Sequence, residues 1–238
     1  KTMKQLKIHI EKTHLPLDVK KIRYVFRLLV KTAGFPYKFV DTSDKADIIY
    51  GSKSGKSKLF IKSCTASFAK KNPKIITKEG IPFILFDDSD FPTIRRKNGR
   101  VKVYNDIIFS SHYLLSGEQE KLMERDKRGH IVRQSFLYDG GYLYVPIINA
   151  YSTLIRKIFN KSHNPIDIWP NKKKYAIALS HDCDYPEMKR YVEVFRYIIN
   201  NGIKINKIIE ILFSKKQTFW NFNEWMELEK SYGFKSAF

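Results

Sequence analysis

The sequence predicts an α/β protein in two parts, and three observations carry that expectation. Short apolar runs with period-two alternation recur through the first two-thirds of the chain, interleaved with stretches whose apolar residues step by three and four. A segment containing Pro165, Pro170 and the run Lys172-Lys173-Lys174 then interrupts the pattern and marks a linker. Beyond it the strand–helix alternation restarts. The expected domains are residues 1–163 and 175–238, joined by a linker at 164–174.

The elements follow in order. Leu6, Ile8 and Ile10 alternate, as a half-buried strand requires. Pro16 opens a helix whose apolar stripe is Val19, Ile22, Phe26, Leu29 and Ala33, and Gly34 stops it. Strands are expected at 37–40, 46–50, 59–61, 82–86 and 101–104, then a helix at 106–115 ending near Ser116-Gly117. Residues 125–130 are a charged loop, and Ile148, Tyr151, Ile155 and Phe159 mark another amphipathic helix. After the linker come a buried strand at 175–179 and a helix carrying Met188, Val192, Phe195 and Ile199 up to Gly202. A further helical stretch follows, then a last helix around Phe222, Trp225 and Tyr232. Gly233 ends it and a strand begins at Phe234.

At 43% hydrophobic residues the chain has material for a sizeable core. Lys and Arg number 44 against 24 Asp and Glu, a net charge of +20, so anionic partners suit its surface. The cations are spread along the sequence, and Lys172-Lys173-Lys174-Tyr175 and Arg190-Tyr191 are too sparse for a nucleic-acid face. Cys64 and Cys183 form no metal-type pair and no disulfide framework. Residues 1–10 hold no apolar leader, and no run approaches the roughly 18 apolar residues of a membrane span. The chain therefore reads as soluble and cytoplasmic, with export to the cell envelope as the alternative, since Lys1 precedes the first methionine, Met3.

The chemistry-bearing stretch is Tyr175-Ala-Ile-Ala-Leu-Ser-His-Asp-Cys-Asp-Tyr-Pro186, an apolar run ending in two carboxylates one residue apart. In extended chain, Asp182 and Asp184 face one side while His181 and Cys183 face the other. Two acids at a strand exit suit a metal with an adjacent general base; strand-end capping is the bland alternative. His181 beside Cys183 also has the spacing of a thiol nucleophile and its base, but no orienting carboxylate is evident on that side, and a small buried Cys is preferred. Gly51-Ser-Lys-Ser-Gly-Lys-Ser57 departs from a phosphate-binding loop, with three residues between its glycines instead of four and no helix after it; it reads as a basic surface loop. Phe86-Asp-Asp-Ser-Asp90 reads as an aspartate-rich turn, followed by a basic turn at Arg95 to Arg100. His9 and His14 lack the spacing of two ligands on one helical face. His112 and His130 read as structural or solvated, and His163, in the linker region, carries no signal.

Ala178-Leu-Ser-His-Asp-Cys-Asp-Tyr-Pro186 resembles the first motif of the polysaccharide deacetylases of the NodB-homology group, carbohydrate esterase family 4. The stretch with Trp225, Glu229 and Gly233-Phe-Lys-Ser-Ala-Phe238 is similar to the segment leading into that family's second strand. Ile22-Arg-Tyr-Val-Phe26, Ala46-Asp-Ile-Ile-Tyr-Gly51 and the loop Arg125-Asp-Lys-Arg-Gly129 resemble an uncharacterised domain that often precedes such enzymes. The resemblance implies the first β/α units of a deformed (β/α) barrel after the linker, with N-deacetylation of an acetylated amino-sugar polymer of the cell envelope or capsule. It further implies Asp182 as general base and Asp184 as ligand of a divalent metal, zinc by the family's habit. The family completes its metal site with a His-x-x-x-His pair, whereas no histidine follows His181. The chain is accordingly expected to stop early in the deacetylase domain and to be inactive alone. A non-catalytic glycan- or partner-binding module is the alternative; nucleic-acid binding is disfavoured.

Overall fold

The computed structural model describes residues 4–13, 15–64, 73–86, 94–121, 123–131, 135–182, 189–213 and 222–237. The chain divides into two compact units, Lys1–Lys172 and Lys173–Phe238. Among the described residues no helix is long and apolar enough to cross a membrane.

The first unit is built on a six-stranded sheet. β1 (Leu6–Ile10) leads through α1 (Val19–Thr32) to β2 (Tyr37–Phe39), which pairs parallel to it. β3 (Ile48–Gly51) lies on the other side of β1, and β4 (Leu59–Lys62) lies beside β3, all parallel. A hairpin apart from this sheet follows, β5 (Lys74–Lys78) with β6 (Ile81–Leu85). A second hairpin, β7 (Ile94–Lys97) with β8 (Arg100–Val103), docks β8 parallel onto β4. The order is β2-β1-β3-β4-β8-β7, antiparallel only at the β7 edge. α2 (Ile107–Leu115), the short α3 (Glu118–Lys121) and α4 (Phe136–Asp139), and α5 (Ile147–Phe159) complete the unit.

Why these residues form these elements is visible in their burial. Along β1, Leu6, Ile8 and Ile10 are buried while Lys7 and His9 are not, the alternation of a pleated strand. Asp18 caps α1 by accepting the N–H of Lys20 at 2.6 Å, so the helix opens at its cap and not at Pro16. Ile22, Val25, Phe26, Leu29 and Val30 of α1 pack in one cluster with Ile8, Ile48, Tyr50, Ile61 and Val103 of the sheet and with Tyr151, Ile155 and Phe159 of α5. Phe26 meets Tyr50 edge-on at 5.9 Å. The β6 residues Phe83 and Leu85 join the same core.

Three sequence expectations need correction here. Residues 95–100, read as a basic turn, form the β7–β8 hairpin. Asn98 (φ 51°) and Gly99 (φ 71°) are its two left-handed central residues, as in a type I′ turn. β5 was missed altogether, and its link to β6 at Glu79-Gly80 has the same pair of positive φ values. His163 is no linker residue: it is 5% exposed and meets the Phe35 and Phe159 rings edge-on at 6.3 and 5.6 Å.

In the second unit, β9 (Leu179–Ser180) is followed by α6 (Arg190–Asn201), α7 (Ile205–Phe213), α8 (Phe222–Ser231) and β10 (Ser236–Ala237). β10 pairs parallel with β9. The strand expected at 175–179 is shorter and lies later, and it is not buried, since Tyr175 and Ile177 are 73% and 68% exposed. None of the described residues of this unit is buried, including those of the helices' apolar faces.

Candidate functional site

The candidate centre of the second unit is the carboxyl end of β9. Leu179 lies opposite Ser236 and Ser180 opposite Ala237, and the His181 N–H donates to the Ala237 carbonyl at 2.9 Å. Gly233, with φ 77°, turns the chain from α8 into β10, a conformation that side chains disfavour. That return puts Glu229 of α8 against both strands. Its Oε2 accepts from Ser236 Oγ at 2.5 Å and its Oε1 from His181 Nε2 at 2.6 Å. A carboxylate only accepts when ionised, so Nε2 carries the proton. The hydrogen bonds from Ser236 and then His181 hold the Glu229 carboxyl below the ordinary glutamate range. The Trp225 ring, one helical turn earlier, lies 5.2 Å from the His181 ring.

This overturns one sequence inference. No orienting carboxylate was evident for His181, yet Glu229, 48 residues further on, is one. Only the placement of α8 reveals it. Asp182 follows the strand end and is exposed. Cys183 and Asp184 lie outside the described residues, as do His14 and Asp87, Asp88 and Asp90 of the aspartate-rich turn. Among the described residues no three His, Cys, Asp or Glu side chains gather into a metal-binding group.

The first unit holds two polar constructions at the carboxyl edge of its sheet. Asp106, buried, caps α2 through Oδ1, which accepts the N–H groups of Ile108 (3.0 Å) and Phe109 (2.8 Å). Its Oδ2 accepts from Tyr50 Oη at 2.7 Å and from the Cys64 N–H at 2.9 Å. Burial pushes the Asp106 carboxyl up against these donors, and burial together with that carboxylate pushes the Tyr50 hydroxyl up, so Tyr50 stays a donor.

The second construction is the loop at 52–58. It runs from β3 into another strand, β4, and not into a helix. Its first donors are turned on a carboxylate of the protein itself: Glu11 Oε2 accepts from Ser52 N (2.6 Å), Ser52 Oγ (3.1 Å) and Lys53 N (3.1 Å). Partial burial pushes Glu11 up, but these donors outweigh it and hold the group below its ordinary range. His112 is buried within α2 beside Ser116, and His130 sits in an exposed loop whose backbone N–H groups, from Arg128 and His130, converge on Asp126.

Comparison with protein families finds the family of unknown function DUF7033 over residues 11–164, and the chain belongs to it. Comparisons with curated proteins and with solved structures return no match.

Proposed function

We propose that the protein serves in metal-dependent removal of acetyl groups from an acetylated amino-sugar polymer of the cell envelope or capsule. On this reading residues 175–238 open the deacetylase domain. The observation that carries it is the parallel pairing of β9 with β10 across three intervening helices, with Ser180-His181-Asp182 leaving the carboxyl end of β9. Catalytic carboxylates of β/α domains sit at such ends.

Each residue then has a distinct task. With His181 turned onto Glu229, the next residue in extended chain turns to the opposite side, which leaves Asp182 solvent-facing at the strand exit. Asp182 is the general base that takes a proton from water as it attacks the amide carbonyl. The Glu229–His181 contact is a peg that fixes the strand end and so the direction of Asp182. Asp184 is the metal ligand implied by the resemblance. Among the described residues no three His, Cys, Asp or Glu side chains gather into a zinc site. A catalytic zinc takes three protein ligands, no histidine follows His181, and the His181 Nε2 is committed to Glu229. On this reading the activity requires a His-x-x-x-His pair joined to this segment.

Acetate release from acetylated glucosamine oligomers tests the reading. Such a protein is expected to release acetate, and Asp182→Asn to slow it by about 10²-fold or more, the scale of a lost general base. Residues 1–238 alone are expected to release none, with or without zinc. Equal rates for the unaltered protein and Asp182→Asn would refute the assignment of Asp182 as base, and metal-dependent release by residues 1–238 alone would refute the inactivity of this segment.

A further inference from the structure

We propose that the first unit binds a phosphate-bearing small molecule of nucleotide size in the cleft at the carboxyl edge of β1, β2 and β3. This site is separate from the deacetylase reading and stands or falls without it.

The strand order supplies the crevice. The chain leaves β1 through α1 toward β2 on one side, whereas β3 lies on the other side of β1 and continues away to β4. The two connections also part across the sheet. α1 covers the face of Tyr50 through Phe26, while a Cβ built at Gly55 of the β3–β4 loop would fall 2.7 Å from Ile49 Cδ1, on the opposite face. Where neighbouring connections of a parallel sheet diverge in this way, a crevice opens outside the carboxyl ends of the strands, and ligands settle there. Here the cleft measures about 440 Å³, within the roughly 300–1,000 Å³ of small-molecule sites.

Its lining states what it takes. Val19 and Phe39, both half-buried, give apolar walls, and Lys12, Arg23 and Lys53 bring three cations. The negative charge of Glu11, also in the lining, is already answered by Ser52 and Lys53. The Arg23 Cζ lies over the Phe39 ring, 5.0 Å from its centroid, and among the described residues the guanidinium makes no hydrogen bond or ion pair. A guanidinium held over a ring keeps its N–H donors for a bidentate oxyanion. Two acceptors complete the set. His9 donates Nδ1–H to the Val40 carbonyl at 3.2 Å, which leaves Nε2 as an acceptor, and Asp41 lies on the rim. Cations for the phosphate, acceptors for hydroxyls and an apolar wall for a flat ring are the chemistry of a phosphorylated nucleoside.

Calorimetric titration of the full 238-residue chain tests this, with uridine diphosphate, adenosine monophosphate, uridine, inorganic phosphate and acetate as probes. A nucleotide is expected to bind saturably, and uridine and acetate not at all. Arg23→Gln is expected to weaken binding about ten-fold or more, Lys53→Gln to weaken it in the same sense, and Lys97→Gln in the β7–β8 hairpin to leave it unchanged. Nucleotide-induced shifts at the Ser52 and Lys53 amides would locate the site. Inorganic phosphate binding as tightly as the nucleotides would overturn the nucleotide assignment and make free phosphate the source. Absence of saturable binding overturns the site itself. So does undiminished binding by Lys53→Gln, a loop variant that leaves the core untouched.

Discussion

Replacing Asp106 by alanine should be the most costly single polar substitution in the first unit, and the structure sets the size. The side chain answers the N–H groups of Ile108, Phe109 and Cys64 and the Tyr50 hydroxyl, with the Cys64 thiol also bonded to it. Loss of the α2 cap costs about 1 kcal/mol. Tyr50 is 0% exposed, so its stranded hydroxyl costs about 1–3 kcal/mol, and the Cys64 N–H a similar amount. The total is about 3–7 kcal/mol, against about 5–15 kcal/mol for a whole domain. The relief of no longer burying a carboxyl pulls it toward the lower figure. Asp106→Asn keeps an oxygen for the cap, and its amide N–H₂ can donate to a rotated Tyr50 hydroxyl. Only the Cys64 N–H then faces a donor, at about 1–3 kcal/mol. Tyr50→Phe removes only one of these donors and costs about 1–2 kcal/mol. Urea unfolding followed by circular dichroism gives the midpoints. Amide exchange at Ile108 and Phe109 shows whether the helix start opens first. An alanine variant within about 1 kcal/mol of wild type, or one no worse than Tyr50→Phe, would show that Asp106 does not organise this junction.

Three further outcomes are expected. Glu229→Gln should speed amide exchange at His181, whose N–H bonds Ala237, because the carboxylate that ties β9 to α8 and Ser236 is gone; in wild type the depressed carboxyl keeps that tie above the ordinary glutamate range and loses it as pH falls through its lowered value. Unchanged exchange would deny Glu229 its role as a peg. His163 has its pKa pushed down by burial, with Asp47 opposing and Lys4 and Lys58 assisting. The neutral imidazole therefore contributes stability above about pH 6.5 that is lost as pH falls through the window beneath it. His163→Gln should flatten that slope in pH-dependent urea titrations, while the similarly depressed His112 retains its own share. Gly99→Ala should destabilise by about 1 kcal/mol through backbone strain alone, since φ is 71° and open space surrounds the new Cβ; a neutral result would mean that the turn relaxes freely.

What the sequence disclosed, and what it hid, follows from how local each signal is. The alternation in β1 and the stripe along α1 are properties of consecutive residues, and both elements form where their periodicity lies. β7 was hidden because it is an edge strand with only Ile94 buried, so Arg95, Arg96 and Lys97 resemble a basic turn. Asn98-Gly99 was the available sign of a hairpin and outweighs that composition. The run at Tyr175 misled in the opposite direction: apolar character alone promises burial, but burial needs a partner surface. Of the candidate site, Asp182 was legible from its place after an apolar run. Glu229, in contrast, becomes a partner of His181 only through a turn at Gly233 and a parallel strand pairing. The carboxylate clasp of Glu11 on Ser52 and Lys53 joins residues some 41 apart, and no local pattern announces it.

The parallel sheet also sets a timetable for the chain. Ile8 meets Ile48 and Leu59 meets Val101, so each of these pairings closes a loop of some forty residues before any ladder bond rewards it. The two hairpins close across two residues each and can form within microseconds. During synthesis, β4 must wait with one bare edge until β8 leaves the ribosome already paired to β7. Slow registration of β4 with β8, and transient capture of that edge by another nascent chain, are the hazards such an order of events creates.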